Sequence, residues 1–263
     1  MHSDVFDRYH ESESFIHRLD PRVKVSMTVA FILSNALLPD GAWLAFGFSW
    51  LFLLFVNALA DLGIGFTFKR SFVAVPFALV AITVLFSIPG DPLTTFHFIF
   101  WDLTVTDMGF LRFMSILVRS WLSVQMAILL VAVARFPDIV HALEHLRVPS
   151  ILTTIIAFLY RYLFVLVDEV FRLLRAREAR SAAEAGTRSG GSVVWRARVA
   201  GNMAGQLFLR SYERSDRVYN AMLARGYTGH LMTINPHELH RVDYVTTALA
   251  LVVILVLQMI GRL

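Results

Sequence analysis

The sequence predicts an all-α integral membrane protein with about five transmembrane helices and a cytoplasmic helical module. Of the 263 residues, 57% are hydrophobic and 17% are charged, whereas about 25% are charged in a typical soluble domain. Apolar stretches long enough to cross a bilayer recur along the chain, and the mean hydropathy is +0.62. The arginines are concentrated in one polar region of the second half.

About 20 apolar residues suffice for a helix to cross a hydrocarbon core of ~30 Å. Apolar stretches of about this length are the candidate transmembrane helices. They are residues 23–38, 43–60, 71–88, 110–133 and 243–261. Pro39, Asp40 and Gly41 have the composition of a tight turn, so the first two helices are predicted to form a hairpin. Pro76 is expected to kink the third helix, because proline cannot donate a backbone hydrogen bond.

The distribution of charge predicts the orientation in the cell (inner) membrane. Residues 135–241 carry 15 arginines against nine acidic residues, and the loop 61–70 ends in Lys69 and Arg70. The loop 89–109 carries three aspartates and neither lysine nor arginine. Because basic loops stay in the cytoplasm, the N-terminus and the module are predicted to be cytoplasmic. The predicted regions are an N-terminal segment (1–22), a four-helix transmembrane bundle (23–134), the module (135–241) and a C-terminal transmembrane helix (242–263).

The apolar stretch 150–167 allows two interpretations. It contains Arg161 and continues directly into Asp168 and Glu169, and a charge at the centre of a bilayer costs about 3 kcal/mol on insertion scales. A crossing here would also place the basic module outside the cell. We therefore interpret 150–185 as a long amphipathic helix along or under the membrane. The alternative is a sixth transmembrane helix with an external N-terminus. No cleavable signal peptide is expected, because the polar first residues contain no apolar core.

The module is predicted to contain three helices. The first covers 137–147, and the second begins near Ser150 and ends before a flexible connector at 186–192. The third covers 193–225 and ends at Gly226, a residue suited to the left-handed position after a helix. Apolar residues recur every four positions on one face of the third helix, namely Trp195, Val199, Met203 and Leu207. Ion pairs along its exposed side are expected among Arg210, Glu213, Arg214 and Arg217.

The sequence lacks the motifs of common enzymes and cofactor sites. Its two lysines, Lys24 and Lys69, follow no glycine-rich phosphate loop, and it has neither an H-E-x-x-H nor a G-x-S-x-G motif. The absence of cysteine excludes disulfides and cysteine-based metal sites. We expect no catalytic site and no bound cofactor or metal in this chain. Nucleic-acid binding would leave the apolar half of the sequence without a purpose.

Some polar residues still deserve consideration as ligands. His141 and His145 are four residues apart on one helix face, a spacing that can hold a metal, but we interpret both as solvated or interfacial. The same interpretation applies to His230, His237 and His240. Arg112 and Arg119 share a face and are expected to snorkel or to bind helix ends. The predicted transmembrane helices offer few groups that could line a path for a metal, namely these two arginines, Asn35, Asn57 and Gln125.

Three segments carry a resemblance that covers nearly the whole chain. They are 17–24 (HRLDPRVK), 172–181 (RLLRAREARS) and 210–229 (RSYERSDRVYNAMLARGYTG). Together they resemble the transmembrane T component of energy-coupling factor (ECF) transporters. The third segment is most similar to the cobalt-type T component, the CbiQ family.

The resemblance implies a division of labour among subunits. In that family two ABC-type ATPases hydrolyse ATP, a membrane S component binds the substrate, and the T component joins them through coupling helices. Each coupling helix ends in an Ala-Arg-Gly-like motif whose arginine enters a groove on one ATPase. The matching residues here are Ala179, Arg180 and Ser181, and Ala224, Arg225 and Gly226. The first motif has serine in place of glycine, so we expect weaker capping there but retained docking.

The resemblance also implies a cargo, because the closest subtype serves cobalt uptake for cobalamin synthesis. A T component for nickel or for a vitamin remains an alternative, as does a permease that works without ATPases. The scarcity of polar residues in the predicted transmembrane helices argues against the permease, since substrate pathways through membranes need inward-facing polar groups.

Overall fold

The structure is a computed structural model that describes residues 9, 12, 14–98, 101–180, 192–229 and 239–263. These residues are mostly α-helical, which confirms the all-α class. The elements are α1 (Phe15–Arg18), α2 (Pro21–Ala36), α3 (Trp43–Leu59), α4 (Ile64–Arg70), α5 (Val75–Ser87), β1 (Pro92–Phe98), β2 (Trp101–Thr106), α6 (Asp107–Val133), α7 (Phe136–His145), α8 (Ser150–Arg180), α9 (Val193–Ala224) and α10 (Arg241–Ile260). The chain divides into two units, Met1–Leu146 with Pro236–Leu263, and Arg147–Asn235.

The first unit has its core where α2, α3, α6 and α10 meet. The buried side chains of this core are Phe31, Leu38, Ala45, Phe46, Leu53, Leu122, Met126, Ile254 and Leu257. In a bilayer these side chains hold the helices together by van der Waals packing, because lipid tails are themselves apolar. Many outward side chains of α3 and α10 are large, apolar and exposed, including Leu44, Leu51, Phe55, Leu249 and Leu255. An apolar core combined with an apolar exterior is the pattern that a lipid environment favours.

The N-terminus of α2 is fixed by a short polar motif. Asp20 is the N-cap, with its carboxylate accepting from the backbone N–H of Arg22 at 2.8 Å, and Pro21 occupies the first turn. Proline suits this position because its fixed φ fits a helix and the missing N–H would have no partner there. The backbone N–H of Asp20 in turn donates to Oδ1 of Asp243 at 3.0 Å, which joins α2 to the start of α10.

The predicted hairpin of α2 and α3 is confirmed. Gly41 has φ +83°, a left-handed conformation that glycine adopts without strain. Asp40 in this turn forms ion pairs with Arg119 at 2.8 Å and Arg112 at 3.6 Å. Arg119 also donates to the carbonyl of Leu38, so the expectation that it binds a helix end is confirmed. The two arginines therefore fix the turn to α6.

The predicted transmembrane helix 71–88 is only partly correct. The structure places a 3₁₀ turn at Ser71–Ala74 between α4 and α5, directly before Pro76, where a kink was expected. Lys69 and Arg70 form the end of α4, so they lie on a helix and not in a loop. The Arg70 guanidinium lies 3.7 Å from the centroid of the Phe66 ring, a geometry that cation–π attraction favours.

The hairpin of β1 and β2 was not predicted and lies in the stretch interpreted as a loop. Its strands are antiparallel, with Phe98 opposite Trp101. After β2, the Thr106 side chain accepts from the N–H of Gly109 at 3.1 Å and caps α6. A Cβ at Gly109 would lie 2.7 Å from the carbonyl oxygen of Leu85. Glycine is therefore required where the end of α5 approaches α6.

Three helices in the described part of the chain are long and apolar enough to cross a membrane: α6, α8 and α10. The shorter α3 is also apolar. Helix α8 includes the ambiguous stretch 150–167, so length and composition permit a crossing that charge distribution disfavours. Its orientation in the membrane therefore stays a prediction. The other predicted transmembrane helices match α2, α3, α6 and α10 within about three residues, the ordinary uncertainty of helix ends.

Candidate functional site

The second unit contains the two long helices α8 and α9, whose C-terminal ends carry the predicted docking arginines. Their bounds agree with the predicted 150–185 and 193–225 as far as residues are described, and α7 agrees with the predicted 137–147. One face of α9 is half-buried, and its residues follow one another at intervals of three or four: Val199, Met203, Leu207, Ser211, Arg214, Val218 and Met222. No residue of α9 is fully buried.

A groove lies between α8 and the C-terminal half of α9. Its volume is about 780 Å³, and its α8 wall includes Ile155, Leu159 and Tyr162. Its α9 wall includes Val218 and Met222. The side chains of Ile155 and Leu159 are 54% and 64% exposed, so the described part of the unit leaves apolar surface uncovered beside the end of α9. Exposed apolar surface of this kind marks contact sites with lipid or with other subunits.

The contact between α8 and α9 includes a buried carboxylate. Glu169 of α8 is 6% exposed and accepts a hydrogen bond from Nη1 of Arg210 on α9. Its second oxygen lies 3.3 Å from Nη1 of Arg172, three residues further along α8. Arg210 was expected to pair along the exposed side of α9. It instead pairs across the two helices, because the buried carboxylate of Glu169 needs a cation.

The end of α9 is closed by a Schellman motif around Arg225. Arg225 is the C-cap, Gly226 has φ +81°, and the N–H of Tyr227 donates to the carbonyl of Met222 at 3.0 Å. The N–H of Gly226 donates to the carbonyl of Leu223, also at 3.0 Å, and these two bonds define the motif. The prediction that Gly226 ends the helix is confirmed. The Arg225 residue is exposed, so its guanidinium is available to a partner.

Replacing Gly226 with alanine is expected to loosen the end of α9. Space for a Cβ is open, so the cost is the left-handed backbone alone, roughly 1–2 kcal/mol for an L-residue. Hydrogen exchange of the Gly226 and Tyr227 amides should become faster in the variant. Gly201→Ala is the control, because Gly201 lies inside α9 with open space around it and alanine favours a helix. Unchanged exchange in Gly226→Ala would contradict the capping role.

The end of α8 is described up to Arg180. Ala179 and Arg180 are both exposed and belong to its last turn. A cation is favoured there, since the last carbonyls of a helix carry partial negative charge. Ser181 lies outside the described residues, so the expected effect of serine on capping stays a prediction. The connector 186–192 also lies outside them, apart from Ser192, which caps α9 by accepting from the N–H of Trp195 at 3.2 Å.

The histidines do not assemble a metal site in the part of the chain that is described. No group of three or more potential ligands is found there. His141 and His145 do share a face of α7, with ring centroids 4.7 Å apart. Nε2 of His145, however, is 2.8 Å from Nη2 of Arg22, and a guanidinium nitrogen can only donate. Nε2 of His145 therefore accepts this hydrogen bond, which occupies the lone pair that a metal would require. His2, His10, His230 and His237 lie outside the described residues.

The polar residues of the predicted transmembrane helices mostly join helices to one another. Asn35 donates to the carbonyl of Arg119 at 3.1 Å, and Asn57 donates to Thr67 Oγ1 at 2.6 Å. Asn57 and Gln125 line a cavity of about 30 Å³, which is room for one or two water molecules. An organic substrate does not fit in this cavity.

Comparisons with known proteins identify the family. The family model described as CbiQ, cobalt transport protein, matches residues 12–234. The chain belongs to the CbiQ family. An uncharacterised protein of Methanocaldococcus jannaschii is 24% identical over 98% of this chain and 86% of its own length. The energy-coupling factor transporter transmembrane protein EcfT of Leuconostoc gelidum subsp. gasicomitatum is 26% identical over 86% of this chain and 85% of its own.

A further relative is named for nickel. The nickel permease LarQ of Lactiplantibacillus plantarum is 29% identical over 45% of this chain and 40% of its own length. The family and the EcfT relatives make this CbiQ-family chain the T component of an ECF transporter. It is a multi-pass membrane protein and a non-enzymatic transport subunit that works in a complex with other ECF components.

Sequence reasoning missed the polar contacts between distant segments. Glu169 was considered only as a charge that disfavours a membrane crossing. The contact of Asp20 with Asp243 was not predicted, and neither was the contact of Asp40 with the two arginines of α6. Acidic residues at the edge of an apolar stretch were the available signal. Their partners lie 41 to 223 residues away along the chain, so spacing alone does not identify them.

Proposed function

We propose that this T component transmits ATP-driven motion from two cytoplasmic ABC-type ATPases to a membrane S component that holds the substrate. Helices α8 and α9 are the coupling helices, and Arg180 and Arg225 are their docking residues. The observation that carries this proposal is the placement of one exposed arginine at the C-terminal end of α9 and another at the last described residue of α8, in a chain of the CbiQ family.

The chemistry of arginine suits this role. Its guanidinium stays charged and presents donors in a fixed planar fork, which matches a carboxylate or a pair of carbonyls in a partner's groove. Two such contacts on two ATPase subunits give avidity without a large interface at either. When ATP closes the ATPases, their grooves move together and the coupling helices move with them as rigid bodies, since packed helices shift as units.

The orientation follows from the same proposal. The N-terminus and the coupling helices lie on the cytoplasmic side of the cell (inner) membrane, where ATP is available to the partner subunits. The chain itself binds no nucleotide and no cofactor. The excess of arginine over acidic residues in 135–241 supports this side, because basic segments are retained in the cytoplasm.

Cobalt for cobalamin synthesis is the proposed cargo, supported by the family description. Nickel is the second candidate, favoured by the likeness to a relative named as a nickel permease; a vitamin would require a different S component. The S component selects among these in an ECF complex of this design, so the choice does not depend on residues of this chain.

Reconstitution tests the proposal. Proteoliposomes containing this chain, its ATPases and its S component are expected to accumulate radioactive cobalt when ATP is supplied on the ATPase side. Omission of any one subunit should abolish uptake. Faster uptake of nickel than of cobalt would reassign the cargo and leave the coupling role intact. Uptake by the chain alone, without ATPases, would contradict the proposal and indicate a permease.

A further inference from the structure

We infer that Glu169 is a positioning residue that fixes the register of α8 against α9 and so sets where the two docking arginines lie. The inference rests on the proposed coupling function for its consequence in transport. The pairing of Glu169 with Arg210 supplies the structural part independently, because it is a contact within the second unit.

The apolar part of the interface between α8 and α9 does little to fix register. Thr153 and Glu169 are the buried residues of α8, and α9 has none. Shallow apolar contacts tolerate sliding, because dispersion and burial are not directional. A charge-assisted hydrogen bond from a guanidinium to a carboxylate depends on both distance and angle. The Glu169–Arg210 pair is therefore a contact that distinguishes one alignment of the helices from its neighbours.

Because Glu169 is buried, its carboxylate depends on its pairing with arginine. A carboxylate that is 6% exposed loses most of its water and needs charged partners in its place. Each carboxylate oxygen has a charged partner. Oε1 accepts a hydrogen bond from Arg210, and Oε2 forms an ion pair with Arg172. Arg172 belongs to α8 itself and so neutralises charge without joining the helices. The roles of the two arginines are thus separable by substitution.

Both docking arginines lie beyond this pair in the C-terminal direction. Arg180 follows Glu169 by 11 residues and Arg225 follows Arg210 by 15, which correspond to helical arms of about 16 Å and 22 Å at 1.5 Å per residue. A slip of one residue would rotate an arm by about 100° and turn its arginine away from the groove it fits. The pair therefore holds two tips in one geometry that matches two ATPases.

The test uses spin labels on the full-length chain in lipid nanodiscs. The sequence contains no cysteine, so Ala176→Cys and Asn220→Cys, both at exposed positions, give one labelled pair across the helices. Electron–electron distance measurements compare wild type with Arg210→Met, Arg210→Lys and Arg172→Met. We expect Arg210→Met to broaden or shift the distance distribution. Arg210→Lys keeps a cation and should remain close to wild type, and Arg172→Met should leave the distribution unchanged.

Transport in the assembled complex, measured without the labels, supplies the second readout. Arg210→Met is expected to lower uptake and the amount of co-purified ATPase by about tenfold, because the buried carboxylate loses one partner of its charge pair and the misaligned arginines no longer fit their grooves. Arg210→Lys should restore most of the uptake. An unchanged distance in Arg210→Met, unchanged uptake, or equal effects of Arg172→Met would each overturn the inference. Failure of the coupling proposal is distinguishable, because the distance measurement requires neither ATPase nor substrate.

Discussion

Replacing Arg180 and Arg225 together with alanine is expected to abolish transport and to release the ATPases while the chain still inserts into the membrane. Each arginine forms charge-assisted hydrogen bonds with its partner in the proposed complex, and such bonds contribute about 1.5–3 kcal/mol each. Loss of one contact would then weaken binding by about 10- to 100-fold. Loss of both removes the avidity as well, so we expect no detectable ATPase after affinity purification of the double variant.

Further substitutions distinguish the contribution of the arginine geometry to docking from the effect of net charge. Lysine at 180 and 225 keeps the charge and loses the planar fork, so we expect partial recovery of ATPase binding and uptake. Arg217→Ala is the matched control, because Arg217 is an exposed arginine within α9 that lies away from its C-terminal end. Full uptake by the Arg180→Ala and Arg225→Ala double variant would reject the docking assignment, and a loss with Arg217→Ala of equal size would attribute the effect to net charge.

Asp243→Ala is expected to destabilise the first unit. The carboxylate is buried and accepts from the N–H of Asp20 at 3.0 Å and from the N–H of His240 at 2.8 Å. Alanine leaves both donors without this acceptor, at about 1–3 kcal/mol for each one that stays buried. The melting temperature of the purified chain in detergent should fall by about 5–15 °C.

Two further variants serve as controls for the melting experiment on Asp243→Ala. Asp243→Asn retains one carbonyl oxygen and should have an intermediate melting temperature, because the amide nitrogen cannot accept. Asp216→Ala removes an exposed aspartate of α9 and should melt like wild type. If Asp243→Ala melted no lower than Asp216→Ala, the link between the start of α2 and the start of α10 would contribute nothing to stability.

The sequence determined the helices better than it determined their contacts. The length of α9 was predictable because apolar residues recur at helical spacing and Gly226 follows them, and both signals are local. The hairpin of α2 and α3 was predictable for the same reason. The hairpin of β1 and β2 was missed because the stretch 89–109 was assessed by its charge, and charge does not distinguish a loop from two short strands.

Long-range polar pairs account for the rest of what was missed. Glu169 sits at the end of an apolar stretch, where a carboxylate normally indicates the edge of a membrane or a solvated turn. Its burial depends on a partner 41 residues later on another helix. Asp243 depends in the same way on Asp20, 223 residues earlier. The docking arginines were identified by resemblance, and the structure adds that Arg225 is exposed at the end of α9 and that Arg180 is exposed at the last described residue of α8.

Site-specific photo-crosslinking tests the central claim most directly. A photoreactive amino acid is placed at Ala179 or Ala224, next to the arginines, so that both guanidinium groups remain. In membranes containing the whole complex, we expect both positions to form adducts with an ATPase subunit. Ala200, an exposed residue of α9 about 36 Å from Ala224 along the helix, should form none. Absence of ATPase adducts from both 179 and 224, or equal adducts from 200, would contradict the account.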